Sequence, residues 1–476
     1  MLAGLGDLGI DGVDHQIEQF GPVGHVVVEP HRTDTELFGD LAYRQSVEAL
    51  RVGKADRRSG DLRAAQRHRR RPRLGFRPFP HGQRCATVRR IHEIQRTVRE
   101  VMMRIAIAGG GLGGLTLARI LYRHGIDAVV YEREASRSAR SQGGSLDLHP
   151  ESGQRALAEA GLAGRFRSEA RPEGEEHRIL DPAGRTLVHH RPQPGSFSGR
   201  PEIDRSALRD LLLGSLPGGA VAWQHRLVAA TPRPGGGFGL TFDGGRSADC
   251  DLLIGADGAR SVVRSLLTEA GLSYVATLVE LSISDADRRH PAVAELVGPG
   301  NLWCIGVNQI LAAQRLGDGT IRVGISVRAA DRDIDTYRSR RALLEMFDGW
   351  DPSLTALIEA GDSAPTPRRI EAMPTGTRWA HQPGITLIGD AAHLMPPVGE
   401  GANQAMLDAA ELAGELAANP ADPDSAIRAY EEAMFTRTHP IAEMSARVQA
   451  MMLSPTAAED ITRFFTARPP DPAPTK

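Results

Sequence analysis

The stretch from Arg104 to Arg133, RIAIAGGGLGGLTLARILYRHGIDAVVYER, decides how the chain is read. A short apolar run, Ile105 to Ala108, enters three glycines, Gly109, Gly111 and Gly114, at G-x-G-x-x-G spacing, and a helical apolar pattern (Leu115, Ala118, Leu121, Tyr122) leaves them. Gly125 supplies the helix stop. Ala128 to Tyr131 reads as a second strand, and Glu132 falls at its end, where dinucleotide-binding folds place an acid for a ribose. The first glycine permits the tight turn, the second lets backbone approach a pyrophosphate, and the third lets helix and strand pack closely. The helix start then offers unpaired N–H groups and a positive dipole end to phosphates. A glycine-rich turn without a ligand is the plainer alternative. Strand, helix, second strand and acid in one unit speak against it.

Outward from this unit, 476 residues are enough for two or three domains and a large core. Hydrophobic residues make up 41% and the formal charge is −2, the balance of a globular chain. No apolar run approaches the roughly 20 residues of a membrane span, and no basic-then-apolar leader opens the chain. A cytoplasmic protein with no membrane partner is expected. Cys85, Cys250 and Cys304 stand apart, with neither metal-ligand spacing nor a disulfide framework.

Charge is unevenly distributed. Between Arg51 and Arg99 lie fifteen arginines and Lys54 against Asp56, Asp61 and Glu93, in a leader (residues 1–101) with no periodic pattern. Such arginine density could serve a nucleic-acid arm, but no binding motif accompanies it. Met102 and Met103 abut the first strand, so the leader reads as an over-extended start, and a nucleic-acid partner is not expected.

Past Glu132, GGSLDLHPESGQ carries a short strand with Asp147 and His149 at its end, then a helix from about Ser152. Residues 175–200 alternate between prolines as antiparallel strands do. PEIDRSALRDLLL places Asp204 as an N-cap and Arg205 in a helical first turn, where a cation opposes the dipole and suggests an anionic or electron-rich neighbour. A second signature, DLLIGADGARSVVR, runs from a strand through Asp257 and Gly258 into an expected helix bearing Arg260 and Arg264. Strand-like runs between 273 and 369 mark a separate sheet-bearing domain. A third signature, LIGDAAHLMPPVGEGANQAMLDA, ends a strand at Gly389 and Asp390, turns at Pro396 and Pro397, and opens an alanine-rich helix at Gly399 to Gly401, with Asn403 in its first turn. One further helix from about Ser425 is expected to kink at Pro440 and to fade before a tail at 467–476.

On these signatures the chain from Met103 to about Thr462 resembles the FAD-dependent aromatic hydroxylases, and within them the tetracycline-modifying monooxygenases. The resemblance implies an α/β fold: a Rossmann-like FAD-binding domain at 102–272 and 370–424, a discontinuous substrate-binding domain on a mostly antiparallel sheet at 273–369, to which 175–200 are a candidate addition, and a C-terminal helix at 425–466. It implies that Glu132 binds the adenosine ribose and Arg133 lies beside the adenine nucleotide. Asp147 and Arg205 would contact FAD, and Arg140 would help to bind NADPH. Asp257, Gly258 and the arginines after them would lie near the pyrophosphate and the nicotinamide approach. Asp390 would hold the ribityl and phosphate portion. Pro396, Gly399, Gly401, Ala402 and Asn403 would line the isoalloxazine. The plainer readings are a capped turn for Asp147, a packed helix-start residue for His393 and a surface ion pair for Arg260.

The implied reaction is hydroxylation of an aromatic or polycyclic small molecule, with dioxygen as co-substrate, through a flavin hydroperoxide. With one dinucleotide fold in the chain, NADPH would dock transiently. The pocket is expected within Ser273 to Val327, around Leu281, Asn301, Gly306 and Val307. It does not repeat the polar residues of tetracycline-modifying relatives, so a phenol or polyketide fits equally. A monomer is expected. A flavin-dependent halogenase is the alternative enzyme, although Trp223, Trp303, Trp350 and Trp379 are too dispersed for its paired-tryptophan motif; a flavoprotein that only sequesters an aromatic ligand is the non-catalytic one.

Overall fold

The computed structural model describes residues 103–139, 143–192, 199–328 and 334–466. The basic leader, Arg140 and the tail lie outside the described residues.

A five-stranded parallel sheet forms the first layer, in the order Ile385–Leu387, Leu252–Gly255, Ile105–Ala108, Ala128–Tyr131, Val221–Ala222. Its central strands are apolar throughout because parallel strands covered on both faces meet no water; all four residues of Ile105–Ala108 and of Leu252–Gly255 are buried. The three signatures thus end on neighbouring strands. Helix Leu112–Arg123, which follows the glycines, and helix Gly401–Ala418 pack side by side: a Cβ at Gly113 would sit 2.9 Å from the Ala405 carbonyl oxygen. Their N-termini are thereby brought to one edge of the sheet.

The second layer is a seven-stranded, mostly antiparallel sheet ordered Thr366–Ala372, Ser273–Ile283, Ile321–Val327, Gln309–Arg315, Asn301–Gly306, His177–Leu180, Thr186–His190. Only the Asn301–Gly306 and His177–Leu180 pair is parallel. Val279, Leu281, Leu302, Leu311, Val323 and Ile325 project from one face into a core shared with Tyr337, Leu343, Leu354 and Leu357 from the covering helices. The opposite face carries Glu280, Gly324, Ala312 and Trp303 in one cross-strand row. Strands Gln309–Arg315 and Thr366–Ala372 escaped the sequence reading.

Three local expectations are corrected. Asp204 occupies the N-cap of helix Arg205–Leu213 but makes no cap bond; its carboxylate instead accepts from Arg171 (2.8 Å) and the Gly317 N–H (2.9 Å). Arg260 and Arg264 do not share an α-helix, since residues 256–263 are irregular backbone and turns and only Arg264–Leu266 makes a single 3₁₀ turn. At the C-terminal end the single helix expected over 425–466 is two, Pro423–Met452, which contains Pro440, and Ala457–Thr466. Among the described residues no helix is long and apolar enough to cross a membrane.

Candidate active site

The glycine loop has the geometry of a phosphate cradle. Gly109 takes φ +111°, and a Cβ there would lie 2.2 Å from the Ala256 carbonyl oxygen, while one on Gly114 would lie 2.1 Å from the Gly109 carbonyl oxygen. Gly111, by contrast, faces open space and caps the following helix with no side-chain hydrogen bond. Its first-turn N–H groups therefore remain available to an anion. Glu132 is 7% exposed and closes the other side, accepting from the Gly110 N–H at 2.7 Å and the Glu134 N–H at 2.9 Å. Next to it Arg133, paired loosely with Glu134 at 3.7 Å, lines an open cavity of about 630 Å³ together with Gln224, Arg226 and Arg246.

The second signature docks on the first through Ala256. Asp257 is half-buried; its Oδ2 accepts from the Val262 and Val263 N–H groups at 2.7 and 3.3 Å, while Oδ1 has no partner among the described residues. Burial outweighs these bonds and pushes its carboxyl above the ordinary carboxylate range. Gly258 follows at φ +80°. Arg264 does not reach toward a ligand. It is 6% exposed and donates to the carbonyls of Ala259, Asp390 (3.2 Å) and Ala391 (3.3 Å), so it ties the second signature to the third. Arg260 is exposed and pairs with Glu371 at 3.0 Å, as its plainer reading had it.

At the third signature, Asp390 opens a short helix, Asp390–His393, with its side chain toward solvent, and a Cβ on Gly401 would sit 3.7 Å from its Oδ1. Pro396 is buried and Pro397 exposed. The 18-residue helix Gly401–Ala418 begins without a side-chain cap, leaving the Gly401 and Ala402 N–H groups and a positive dipole end open beside Asp390. Asn403 is 1% exposed and accepts from the His149 and Gly153 N–H groups (2.9 and 3.3 Å) while donating to the Asp147 and Gly399 carbonyls (2.9 and 3.2 Å). It is a joint that holds Asp147 against the Gly399 turn. Buried His149 adds to it, with Nε2 3.0 Å from Asp147 Oδ2 and Nδ1 3.7 Å from Glu400.

Arg205 lies in the first helical turn, as read, with its N–H on the Gly144 carbonyl at 3.1 Å. The four residues named for the pocket are placed differently from one another. Leu281 faces the helix-covered core, Gly306 packs against Trp350, and Val307 is 63% exposed. Asn301 does reach the interlobe seam, where it donates to buried Glu202 at 3.1 Å and accepts from Gln314 at 3.0 Å; Gln314 in turn receives the Ser145 N–H at 2.7 Å.

Behind the third signature lies a buried ionic cluster that the sequence reading missed. Asp408 is fully buried and accepts from the Gly389 N–H (2.7 Å), His393 Nε2 (2.7 Å) and Arg437 (2.7 Å), and Arg437 also reaches Glu411 at 2.8 Å. His393 is thus packed, as its plainer reading had it, but at the end of the short helix Asp390–His393 and not at a helix start. The spacing Gln404, Asp408, Glu411 puts a polar stripe on one face of an alanine-rich helix, and that was the available signal.

Two phosphate-ready helix starts, an acid at each, and a neighbouring sheet face fit a bound flavin dinucleotide. The comparisons agree. A family profile described as FAD binding domain matches residues 102–309 and 362–442. A 3-amino-4-hydroxybenzoate 2-monooxygenase of Streptomyces platensis is 31% identical over 352 residues, covering 71% of this chain and 85% of that protein. The monooxygenase asqM of Emericella nidulans is 29% identical over 442 residues, covering 76% and 98%. Among solved structures, an FAD-containing monooxygenase from Photorhabdus luminescens is 26% identical with a TM-score of 0.62, covering 74% and 98%. The tetracycline destructase Tet(51), at 21% identity and a TM-score of 0.58 over 76% and 95%, shares the fold. The chain belongs to the FAD-dependent aromatic hydroxylases and is an FAD-dependent monooxygenase.

Proposed function

We propose that the chain uses NAD(P)H and dioxygen to hydroxylate a planar aromatic or polycyclic small molecule. The observation that carries this reading is the uncapped start of helix Gly401–Ala418 beside the Asp390 carboxylate and the buried Pro396 turn. Bound flavin supplies hydride acceptance and oxygen activation; the chain must hold it, orient it and exclude water. In this reading Gly109 to Gly114 cradle the pyrophosphate and Glu132 takes the ribose. Asp390 accepts from flavin hydroxyls, and the Gly401 and Ala402 N–H groups hold negative charge that develops on the ring. Asp147, fixed by Asn403 and His149, borders it. One glycine-loop fold makes NADPH a transient visitor, and ring hydroxylation is also what the name of the Streptomyces relative describes.

With labelled dioxygen and a panel of phenols, polyketides and tetracyclines, NADPH consumption is expected to rise with the right compound, whose product gains one labelled oxygen atom. Halide dependence would favour the halogenase reading, and label found only in hydrogen peroxide across the panel would remove the support for hydroxylation. Asp390→Ala is expected to remain folded but to bind flavin roughly ten- to a hundredfold more weakly, the loss of a charge-assisted partner worth about 1.5 to 3 kcal/mol. FAD content after gel filtration reads this out, and full flavin retention would leave Asp390 no part in binding.

A further inference from the structure

Beside the Pro396 turn lies a cavity of about 260 Å³ between three elements: Leu394, Met395 and Pro396 of the turn, Tyr274 and Val275 of the sheet edge, and one face of helix Pro423–Met452. That face presents Ala442, Ala446 and Ala450, spaced four apart, which is one stripe along a helix. Small side chains there keep the space open. Met373 and Leu453 complete a mostly apolar wall.

Its polar groups are Gln449, Thr375, Arg328 and the Tyr274 hydroxyl. Gln449 lines the cavity, is 8% exposed, and its amide makes no hydrogen bond among the described residues. Such a group offers two donors and an acceptor to whatever enters the cavity. Isolated polar groups in apolar pockets are how binding sites fix the orientation of a ligand. Arg328 also lines the cavity but is exposed, so its charge stays hydrated.

Resting on the hydroxylase reading, we propose that this cavity holds the ring system of the substrate and that Gln449 is its specificity residue, pairing with a neutral hydrogen-bonding substituent such as a phenolic hydroxyl or ring carbonyl. A neutral amide pairs well with either. It does not neutralise a carboxylate, and a buried carboxylate without a cation carries a large desolvation penalty. The substrate class is therefore an uncharged, oxygen-substituted aromatic, in contrast to an aromatic acid.

The test is equilibrium dialysis of the FAD-loaded enzyme, without NADPH, against naphthalene, 2-naphthol and 2-naphthoate. The wild-type protein should prefer 2-naphthol to naphthalene by roughly five- to tenfold, as one neutral hydrogen bond allows, and should bind 2-naphthoate most weakly. Gln449→Leu, and Gln449→Met as a second variant of similar volume, should bring the naphthol-to-naphthalene ratio to about one while naphthalene still binds. Ala446→Phe should abolish binding of all three. An unchanged ratio in both Gln449 variants, or no binding of any probe to the wild-type protein, would overturn the proposal. Because no turnover is involved, a failure of oxygen transfer in the labelled-dioxygen experiment would leave this binding result readable by itself.

Discussion

Asp408→Ala should lower the unfolding free energy by about 3 to 5 kcal/mol, the usual cost of removing one partner from a buried ion pair. The substitution leaves the Arg437 guanidinium with Glu411 and Gln404, and strips the Gly389 N–H and His393 of their shared acceptor. Because Gly389 directly precedes Asp390, the same variant should also release flavin more readily. Asp408→Asn keeps an acceptor for the Gly389 N–H and should cost less. Burial alone would push the Asp408 carboxyl up, but His393 and Arg437 outweigh it and hold it at about 2, below the ordinary 3.8. A carboxyl depressed in the fold stabilises above its ordinary value and loses that contribution as pH falls through the folded one. Wild type and variant should therefore differ fully above about pH 4 and converge toward pH 2. Urea midpoints at pH 7 and at acid pH measure this, and equal midpoints at pH 7 would show that the cluster adds nothing to stability.

Glu202→Gln should have the opposite sign. Glu202 sits in strand Glu202–Asp204 at the seam between the two layers, receiving hydrogen bonds from Ser145 Oγ and from Asn301 at 3.1 Å. Burial, reinforced by the nearby Asp147 charge, pushes its carboxyl up to about 7 from the ordinary 4.5. The native state therefore holds a proton that the unfolded chain has already released. Stability falls as pH rises from about 4.5 through 7, by on the order of 3 kcal/mol for a shift of this size. Glutamine keeps the shape and the acceptor without the titration. The variant should match wild type near pH 5 and exceed it at pH 8, as chemical unfolding at the two pH values would show. A wild-type midpoint that does not fall between them, relative to the variant, would mean that the seam admits enough water to ionise Glu202 freely.

The glycine-loop half of the candidate site was legible because its information is local. Gly109, Gly111, Gly114 and Glu132 lie within one strand, turn, helix and strand, and each glycine answers a constraint set by neighbours in the same unit. Strands Leu252–Gly255 and Ile385–Leu387 were legible to within a residue for the same reason, since continuous apolar runs stopped by Gly and Asp declare buried parallel strands. The substrate side was not. Alternation reveals that Leu281 and Glu280 point opposite ways, but which face the helices cover depends on how Tyr337, Leu343 and Leu354 pack, and a wrong choice exchanges core for pocket.

The functional joints were the least legible, because their partners are remote. Asn403 meets Asp147 across 256 residues, Arg264 meets the Asp390 carbonyl across 126, and Asp408 meets Arg437 across 29. From sequence, a polar residue in a first helical turn reads equally as ligand contact or as joint, since side-chain type fixes what a group can bond but not what lies within reach. By itself, then, the sequence determined the dinucleotide fold, the family and the three signature turns, all properties of short segments with their own hydrogen-bonding and packing demands. Tertiary structure alone decided which sheet face is open, that Asn403 and Arg264 hold the protein's own backbone, and that Gln449 is left unpaired in an apolar cavity, because each depends on the burial and partners created when distant segments close over one another.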